Sequence, residues 1–311
     1  MKCELAIVGG GPSGVAAGTY AARKKVSTIL ITETFGGQSL TSNDIQNWIG
    51  TKSLTGFDLA QNFEAHLRAQ EDIVIKDGVR VESIQKVEAG FDLRLTSGES
   101  VVAKYLLLAN GSSRRKLGVQ GEKELDGRGV VYCSTCDAPI FKDKVVAVVG
   151  GGNSGLEGVR DSIPYASKIY ILVRKDFLRG DALTQENIKA SDKVEILYNT
   201  EITEIVGDKF VTGIKFKNNK TNETGELKLD GVFVEIGSVP NSDLVKNLPG
   251  VKLNALNEVV VDHKTQKAAE DIWAAGDITD VLYKQNNISS GDAVKAVLNI
   301  YDEMHGVKRS K

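Results

Sequence analysis

Two glycine-rich loops, each set between an apolar segment and a helical one, constrain the fold of this chain more than any other feature. The first loop reads Gly9-Gly10-Gly11-Pro12-Ser13-Gly14 and the second reads Gly150-Gly151-Gly152-Asn153-Ser154-Gly155. A strand, a loop of this kind and a helix form the start of the βαβ unit that binds dinucleotides. We therefore predict an α/β protein with two Rossmann-like dinucleotide-binding domains.

The two loops belong to a longer internal repeat. In each copy we expect a strand before the loop, then a helix, a second strand, a short meander and a last apolar strand ending in glycine. The predicted first strands are 5–8 and 146–149, the helices 15–24 and 156–163, the second strands 28–31 and 169–172, the meander strands 91–95, 101–102, 210–216 and 227–229, and the last strands 106–111 and 232–237. Each domain is thereby expected to have a three-layer ββα form.

The second copy is predicted to be inserted in the first domain. About 70 residues follow the second copy, too few for a third domain. Residues 1–112 and 244–311 are therefore expected to form the first, discontinuous domain and residues 113–243 the second. The two connections, at 111–113 and 237–241, contain glycine, serine and proline, which suit loops and hinges.

The residue nineteen positions after the third glycine of each loop distinguishes the two expected nucleotides. It is Glu33 in the first copy and Arg174 in the second. An acid at this position accepts hydrogen bonds from ribose hydroxyls, whereas an arginine accommodates a 2′-phosphate. Lys175 and Arg179 add positive charge beside Arg174, although a solvated strand end would have a similar composition. The first loop therefore suits FAD and the second favours NADPH.

A pair of cysteines, Cys133 and Cys136, stands just before the second copy. Two intervening residues allow the sulfurs to close a small ring, and the spacing lowers the pKa of one thiol. A structural zinc site needs four ligands, and Cys3, His66, His263 and His305 are scattered without ligand spacing, so no metal is expected. The pair is therefore interpreted as redox-active, and Cys3 as a buried or half-buried thiol.

Composition excludes several other classes of function. The net charge of −2 and the pI of about 6.0 give no reason to expect a nucleic-acid partner. No apolar run approaches the roughly 18 residues of a membrane helix, so no membrane association is expected. Because the N-terminus leads directly into a predicted strand and not into a signal peptide, a cytoplasmic location is expected.

Seven motifs in this order resemble those of the low-molecular-weight thioredoxin reductases and of the related flavoprotein that reduces bacterial peroxiredoxins. The motifs are Gly9 to Gly14, Phe35-Gly36-Gly37-Gln38, Gln46-Asn47-Trp48, Tyr132-Cys133-Ser134-Thr135-Cys136-Asp137, Gly150 to Gly155, Ala274-Ala275-Gly276-Asp277 and Tyr283-Lys284-Gln285. The likeness covers essentially the whole chain. We expect the chain to lack the N-terminal thioredoxin-like extension of the peroxiredoxin-reducing form.

The resemblance implies roles for particular residues. Cys136 would face the flavin, Cys133 would attack the partner's disulfide, and Asp137 would act as general acid, unless Asp137 serves only as an acid at a helix start. Residues implied or inferred to bind FAD are Gly9, Gly11, Pro12, Ser13, Gly14, Glu33, Gly37, Gln38, Asn47, Val81, Ala109, Gly111, Gly276, Asp277, Lys284 and Gln285. Those for NADPH are Gly150, Gly152, Asn153, Ser154, Gly155, Arg174, Lys175 and Arg179.

Three segments depart from the family's pattern. The usual His-Arg-Arg cluster for the 2′-phosphate appears as Val173-Arg174-Lys175, Ala-Thr-Gly appears as Ala109-Asn110-Gly111, and Gln285 is followed by the polar pair Asn286-Asn287. The loss of the histidine leaves the electron donor open. NADPH is favoured, and ferredoxin is the alternative donor.

The sequence therefore predicts a homodimeric, FAD-dependent disulfide reductase that passes electrons from NADPH through the Cys133/Cys136 disulfide to thioredoxin or a thioredoxin-like protein. A dithiol oxidase that uses oxygen is a second hypothesis, because family members with altered nicotinamide clusters do this. A flavin-binding redox sensor is a third, although a sensor needs no proton donor. A ferredoxin reductase of this fold lacks the two cysteines and ranks last.

Overall fold

The computed structural model describes residues 1–42 and 44–307. The strands are β1 (Lys2–Val8), β2 (Thr28–Ile31), β3 (Ile73–Lys76), β4 (Val81–Val87), β5 (Gly90–Leu95), β6 (Ser100–Leu108), β7 (Ser112–Arg114), β8 (Val130–Val131), β9 (Val145–Val149), β10 (Lys168–Val173), β11 (Val194–Tyr198), β12 (Thr200–Gly207), β13 (Val211–Asn218), β14 (Thr224–Lys228), β15 (Gly231–Val234), β16 (Ser238–Pro240), β17 (Lys267–Ala269) and β18 (Ile272–Ala274). The helices are α1 (Pro12–Arg23), α2 (Gly56–Arg68), α3 (Ser134–Asp137), α4 (Asn153–Ser162), α5 (Ala182–Lys189) and α6 (Asn286–Met304), with 3₁₀ turns at Gly37–Thr41 and Ala138–Phe141.

The chain divides into two compact units. The first unit contains Met1–Leu40, Trp48–Ser113 and Val239–Lys311, and the second contains Thr41–Asn47 and Arg114–Ser238. The short segment Thr41–Asn47 thus belongs to the second unit, although sequence analysis had placed it in the first domain. The predicted domain boundaries at residues 112 and 244 stay a prediction.

The first unit is built on one sheet with the strand order β17-β18-β6-β1-β2-β3. Strand β1 is parallel to β2 and β6, and β4 and β5 extend the sheet from β6 as an antiparallel ribbon. The central strands are apolar on both faces because both faces are covered, as in other parallel sheets. Helices α1 and α6 pack against each other in this unit.

The second unit repeats this plan with the order β11-β10-β9-β15-β8, all parallel. A separate antiparallel sheet, β12-β13-β14, packs on it through a second apolar cluster that includes Ile205, Ile214 and Val232. The α/β fold with two Rossmann-like units, predicted from the glycine loops, is confirmed.

The meander of the first unit differs from the prediction. Residues 101–102 and 106–111 were expected to form two strands, but β6 runs continuously from Ser100 to Leu108. Its first part, Ser100 to Ala103, is antiparallel to β5, and the part from Val102 to Leu108 lies parallel to β1. Lys104, which lies between the two expected strands, is an exposed residue of the continuous strand. In the second unit the corresponding strands, β14 and β15, are separate.

Candidate functional site

The first glycine of each loop is held in a conformation and a space that only glycine allows. Gly9 has φ +120° and Gly150 has φ +141°, and a Cβ at these positions would lie 2.2 Å from the carbonyl oxygen of Ala109 and 2.3 Å from that of Glu235. The loops then lead into α1 and α4 at Pro12 and Asn153, and no side chain caps either helix. The first-turn N–H groups of both helices are therefore suited to an anion such as a pyrophosphate.

The first unit brings several predicted flavin residues together. A Cβ on Gly276 would lie 2.2 Å from Ser13 Oγ, and one on Gly11 would lie 3.8 Å from the Cα of Gly37. Ser289 Oγ donates a hydrogen bond to Asp277 Oδ1 at 3.3 Å. Backbone without side chains thus surrounds the start of α1, with an oriented carboxylate next to it. This cradle fits a dinucleotide with a polyol chain.

Two predicted flavin residues have partners that sequence analysis missed. Arg80 Nε donates to Glu33 Oε2 at 2.7 Å, so the proposed ribose acceptor also forms an ion pair. Lys284 Nζ lies 3.0 Å from Glu258 Oε1 and contacts the carbonyl oxygens of Asp277 and Thr279. Lys284 therefore holds the loop that carries Asp277.

The remaining predicted flavin residues lie at strand ends and turns of the first unit. Val81 is buried in the core at the start of β4, and the N–H of Ala109 donates to the carbonyl oxygen of Val8 at 2.8 Å. Gly111 follows β6 with φ +61°, Gln38 lies in the 3₁₀ turn at Gly37–Thr41, and Gln285 precedes α6. Their contact with a flavin stays a prediction.

The second unit contains a disulfide between Cys133 and Cys136. Cys133 is the N-cap of the short helix α3, which contains Cys136 and ends at Asp137. The side-chain amide of Asn47 lies 3.8 Å from Cys136 Sγ. Sequence analysis assigned Asn47 to the flavin, and the structure places its amide beside the redox pair.

Asp137 is buried directly after the second cysteine, with 7% of its surface exposed. Burial raises its pKa from 3.8 to about 7, while the positive charge of Arg114 lowers the pKa and the negative charge of Asp44 raises it. At neutral pH the carboxyl of Asp137 is therefore protonated in a substantial fraction of the protein molecules. A carboxyl group of this kind is suited to general acid catalysis.

Two further acids contact the turn between the cysteines. The N–H of Ser134 donates to Glu235 Oε1 at 2.9 Å. The hydroxyls of Ser134 and Thr135 donate to Asp161 Oδ2 at 3.0 and 3.1 Å. Neither acid is predicted from the sequence as a site residue, although a charged residue within the otherwise apolar segment 232–237 is itself a signal.

A cavity of about 720 Å³ lies against the second glycine loop. It is lined by Gly150 to Ser154 and by the three predicted cations Arg174, Lys175 and Arg179. Further lining residues, not predicted from the sequence, are Lys116, Phe177, Glu201 and Asn219. Arg174 and Arg179 thus place positive charge at the wall of this cavity.

Val173 stands in place of the histidine expected in the 2′-phosphate cluster, and its side chain cannot bind a phosphate. Its side chain belongs to the apolar core of the second unit, and a Cβ on Gly151 would lie 2.6 Å from its Cγ1. Val173 thus packs under the loop and offers no hydrogen bond to a phosphate. Arg174, Lys175 and Arg179 in the cavity wall remain the predicted ligands of a 2′-phosphate.

Cys3 is a half-buried free thiol, as expected. Burial raises its pKa to about 11, so it remains protonated and unreactive at neutral pH. Within residues 1–42 and 44–307, no cluster of three or more His, Cys, Asp or Glu residues could hold a metal ion. In the same part of the chain, no helix has the length and apolar character needed to cross a membrane.

Comparison with curated proteins finds relatives among the subunits of alkyl hydroperoxide reductases. The chain is 40% identical over 304 residues to an alkyl hydroperoxide reductase subunit of Pseudomonas putida, and 37% identical over 299 residues to the one of Staphylococcus aureus strain MRSA252. These alignments cover 97% and 96% of this chain and 58% of each relative. The chain thus spans less than two thirds of the length of these relatives.

Solved structures with the same fold include two thioredoxin reductases. Those from Giardia duodenalis and Streptococcus pyogenes MGAS5005 superpose with a TM-score of 0.90 each, at 28% and 29% identity. Each comparison covers 98% of this chain and 99% of the other. The similarity therefore includes both units of the fold and not one nucleotide-binding unit alone.

A family model described as pyridine nucleotide-disulphide oxidoreductase matches residues 3–296, which is nearly the whole chain. The match agrees with the two glycine loops and the Cys133–Cys136 disulfide. FAD and NADPH are the cofactors of this family and of its thioredoxin reductase members. The chain therefore belongs to the pyridine nucleotide-disulphide oxidoreductases and is a flavoprotein oxidoreductase with a redox-type cysteine pair.

Proposed function

We propose that this protein is a disulfide reductase that passes electrons from NADPH, through FAD and the Cys133–Cys136 disulfide, to a thioredoxin-like protein. The observation that carries the proposal is the disulfide at the start of α3, followed directly by a buried acid that keeps a proton near neutral pH. Under this proposal the first unit holds FAD and the second holds NADPH in the cavity at Gly150 to Ser154.

The sulfur chemistry requires both cysteines. FAD, when bound, supplies an electron pair that the disulfide can accept. In the dithiol form, a Cys133 thiolate would attack one sulfur of the partner's disulfide and release the other partner sulfur as a thiolate. Cys136 would then attack the mixed disulfide, which restores the Cys133–Cys136 bond and leaves the partner as a dithiol. In this exchange the partner's disulfide is reduced and the Cys133–Cys136 disulfide is formed again, so the cycle delivers one electron pair to the partner.

Asp137 would supply a proton to the Cys136 side of the pair. Full reduction of the disulfide to two thiols needs two protons as well as two electrons. A carboxyl with a pKa of about 7, one residue after Cys136, can donate one of them and recover it from solvent. The neighbouring amide of Asn47 would hold the sulfur in place through its weak hydrogen bond.

Two features favour a nicotinamide nucleotide as the donor. The cavity opens at the N-terminus of α4, where the N–H groups suit a pyrophosphate. Arg174, Lys175 and Arg179 add positive charge at its wall, while Glu201 is an acid in the same wall. NADPH is therefore the proposed donor. If NADPH does not reduce the flavin, ferredoxin is the alternative donor.

A peroxiredoxin-type partner is the second candidate, because the curated relatives are subunits of alkyl hydroperoxide reductase. The chemistry delivered to the partner is the same in both cases. The two candidates differ only in which protein carries the accepting disulfide. A homodimer stays a prediction, which light scattering of the purified holoprotein would check.

One assay separates these possibilities. Purified holoprotein is mixed with NADPH and, in parallel reactions, with thioredoxin, with an isolated thioredoxin-like module and with a peroxiredoxin plus peroxide, and NADPH consumption is followed. We expect reduction of a thioredoxin-like disulfide by the native protein and none by Cys136→Ser, which keeps FAD. Robust reduction of the acceptor by Cys136→Ser would contradict the proposal. So would a flavin that dithionite reduces but that neither NADPH nor NADH reduces.

A further inference from the structure

Glu235 occupies a special position below the second glycine loop. It directly follows β15, its N–H donates to the carbonyl oxygen of Val149 at 2.9 Å, and its own carbonyl lies under Gly150. In the first unit, Ala109 has the same relations to Val8 and Gly9. The internal repeat therefore pairs Glu235 with Ala109, and only the second unit has a carboxyl here.

The second unit also has the space that this carboxyl needs. The third residue after the last glycine of the loop is Ala17 in α1 and Gly158 in α4. A Cβ on Gly158 would lie 3.1 Å from Cγ of Glu235, closer than most side-chain contacts allow. Gly158 thus stands where the first copy has Ala17, and Glu235 stands where it has Ala109. The smaller residue on the helix leaves space for the larger side chain at the end of the strand.

The carboxyl of Glu235 uses this space to reach the turn between the cysteines. Its Oε1 accepts the N–H of Ser134, the residue between Cys133 and Thr135, at 2.9 Å. Only 8% of Glu235 is exposed, so this bond lies in a protected environment.

The groups that shift the pKa of Glu235 come from three elements, α3, β7 and α4. Burial raises its pKa to about 7, the N–H of Ser134 and the positive charge of Arg114 lower it, and the negative charge of Asp161 on α4 raises it. Arg114 also lowers the pKa of Asp137 on α3, so one cation acts on both buried acids. Glu235 is therefore mainly neutral below pH 7 and mainly ionised above it.

We propose that Glu235 is a positioning residue for the Cys133–Cys136 pair, which holds the turn through Ser134 and, when ionised, disfavours a thiolate on Cys133 and so makes the reduced pair a stronger reductant. An ionised Glu235, bonded to the N–H of the residue after Cys133, and a thiolate on Cys133 would repel each other. Reduction to a thiolate state therefore becomes harder while Glu235 is ionised. The inference rests on the proposed function only in treating these two cysteines as the reducing pair.

The experiment measures the pair itself. Holoprotein is equilibrated with mixtures of reduced and oxidised dithiothreitol, and the thiols are trapped with iodoacetamide and counted by mass spectrometry. Each reduction breaks the Cys133–Cys136 bond and places two electrons and two protons on the sulfurs, while dithiothreitol closes to its cyclic disulfide. Ionisation of one new thiol then releases one proton.

Glu235→Gln is the main variant, because it removes the charge and keeps an oxygen that can accept the N–H of Ser134. At pH 8 we expect the equilibrium constant for reduction of the pair to rise about tenfold, which is about 30 mV for a two-electron couple. At pH 6, where the native carboxyl is protonated, the two proteins should agree within about twofold. The rate of alkylation of Cys133 in the reduced protein should rise at pH 8 in the same way.

Asp161→Asn is the matched control, since Asp161 bonds the hydroxyls of the same turn and is only partly buried. Because the charge of Asp161 raises the pKa of Glu235, Asp161→Asn should move the pH at which the equilibrium constant changes to a lower value without abolishing the change. Equal potentials of native protein and Glu235→Gln at pH 8, or an equal difference at both pH values, would overturn the proposal. Because no nucleotide or protein partner is present, the outcome is independent of whether a thioredoxin-like protein proves to be the acceptor.

Discussion

The two nucleotide loops have the same backbone and different surroundings. In each, the first glycine has positive φ and lies on the carbonyl oxygen of the residue after a central strand, Ala109 in one unit and Glu235 in the other. The residue under the second glycine is Thr32 in the first unit and Val173 in the second. The βαβ backbone therefore forms a dinucleotide site in both units, while the residues beneath the loop differ and can have other roles.

Alanine at the first glycine of each loop tests whether the two sites are independent. The new Cβ would collide with a backbone carbonyl, at 2.2 Å in Gly9→Ala and 2.3 Å in Gly150→Ala, so the loop must shift. We expect Gly9→Ala to lose FAD, with affinity weakened by about 100-fold or more, and Gly150→Ala to keep FAD and lose reduction by NADPH. Flavin absorbance after gel filtration and anaerobic NADPH titration check both outcomes.

The opposite result for the two alanine variants would contradict the assignment of different nucleotides to the two loops. If Gly150→Ala released the flavin and Gly9→Ala retained it, the assignment of FAD to the first loop would be wrong. Circular dichroism of both variants separates a local shift of the loop from a failure to fold.

The second unit differs from the first in having a disulfide with a buried acid, Asp137, beside it. Replacement of Asp137 tests the role of this acid. We expect Asp137→Asn to slow disulfide reduction by about 100-fold, with FAD content unchanged, because the amide cannot donate the proton. Steady-state turnover with a thioredoxin-like acceptor checks this. Unchanged turnover would leave Asp137 as a helix-end acid without a catalytic role.

Titration of Asp137 also gives the native protein a dependence of stability on pH that Asp137→Asn lacks. Since the pKa of Asp137 is raised from 3.8 to about 7, the folded protein keeps a proton that the unfolded chain releases between these values. The stability that this carboxyl contributes is therefore present below about pH 4 and lost as the pH rises through 7. Asp137→Asn should accordingly raise Tm more at pH 8 than at pH 5.

The smallest expected effect concerns the choice of nucleotide in the second unit. Arg174→Ala should reduce the preference for NADPH over NADH by about tenfold, since one charge near the 2′-phosphate is removed and Lys175 and Arg179 remain. The rate of flavin reduction by each nucleotide, measured under anaerobic conditions, gives the ratio. An unchanged ratio would show that the 2′-phosphate is recognised elsewhere in the cavity.

Local patterns carried most of the sequence-based prediction. The glycine loops, the strands beside them and the cysteine pair are contiguous in sequence, and the structure has all of them. Contacts between distant segments could not be predicted, because a single sequence does not show which loops meet. Arg80 reaches Glu33, and Glu235 reaches Ser134, across 47 and 101 residues. Glu235 alone left a local signal, as an acid within an apolar strand.

The assignment of Thr41–Asn47 to the second unit has a consequence for dissecting the protein. The chain enters that unit twice, so residues 114–238 are a contiguous fragment but not the complete unit. A truncated protein made from them would have both cysteines and no amide of Asn47 near Cys136 Sγ. Studies of the excised fragment would therefore describe a sulfur environment that the intact protein does not have, and fusing 41–47 to the fragment through a flexible linker would be needed to recover it.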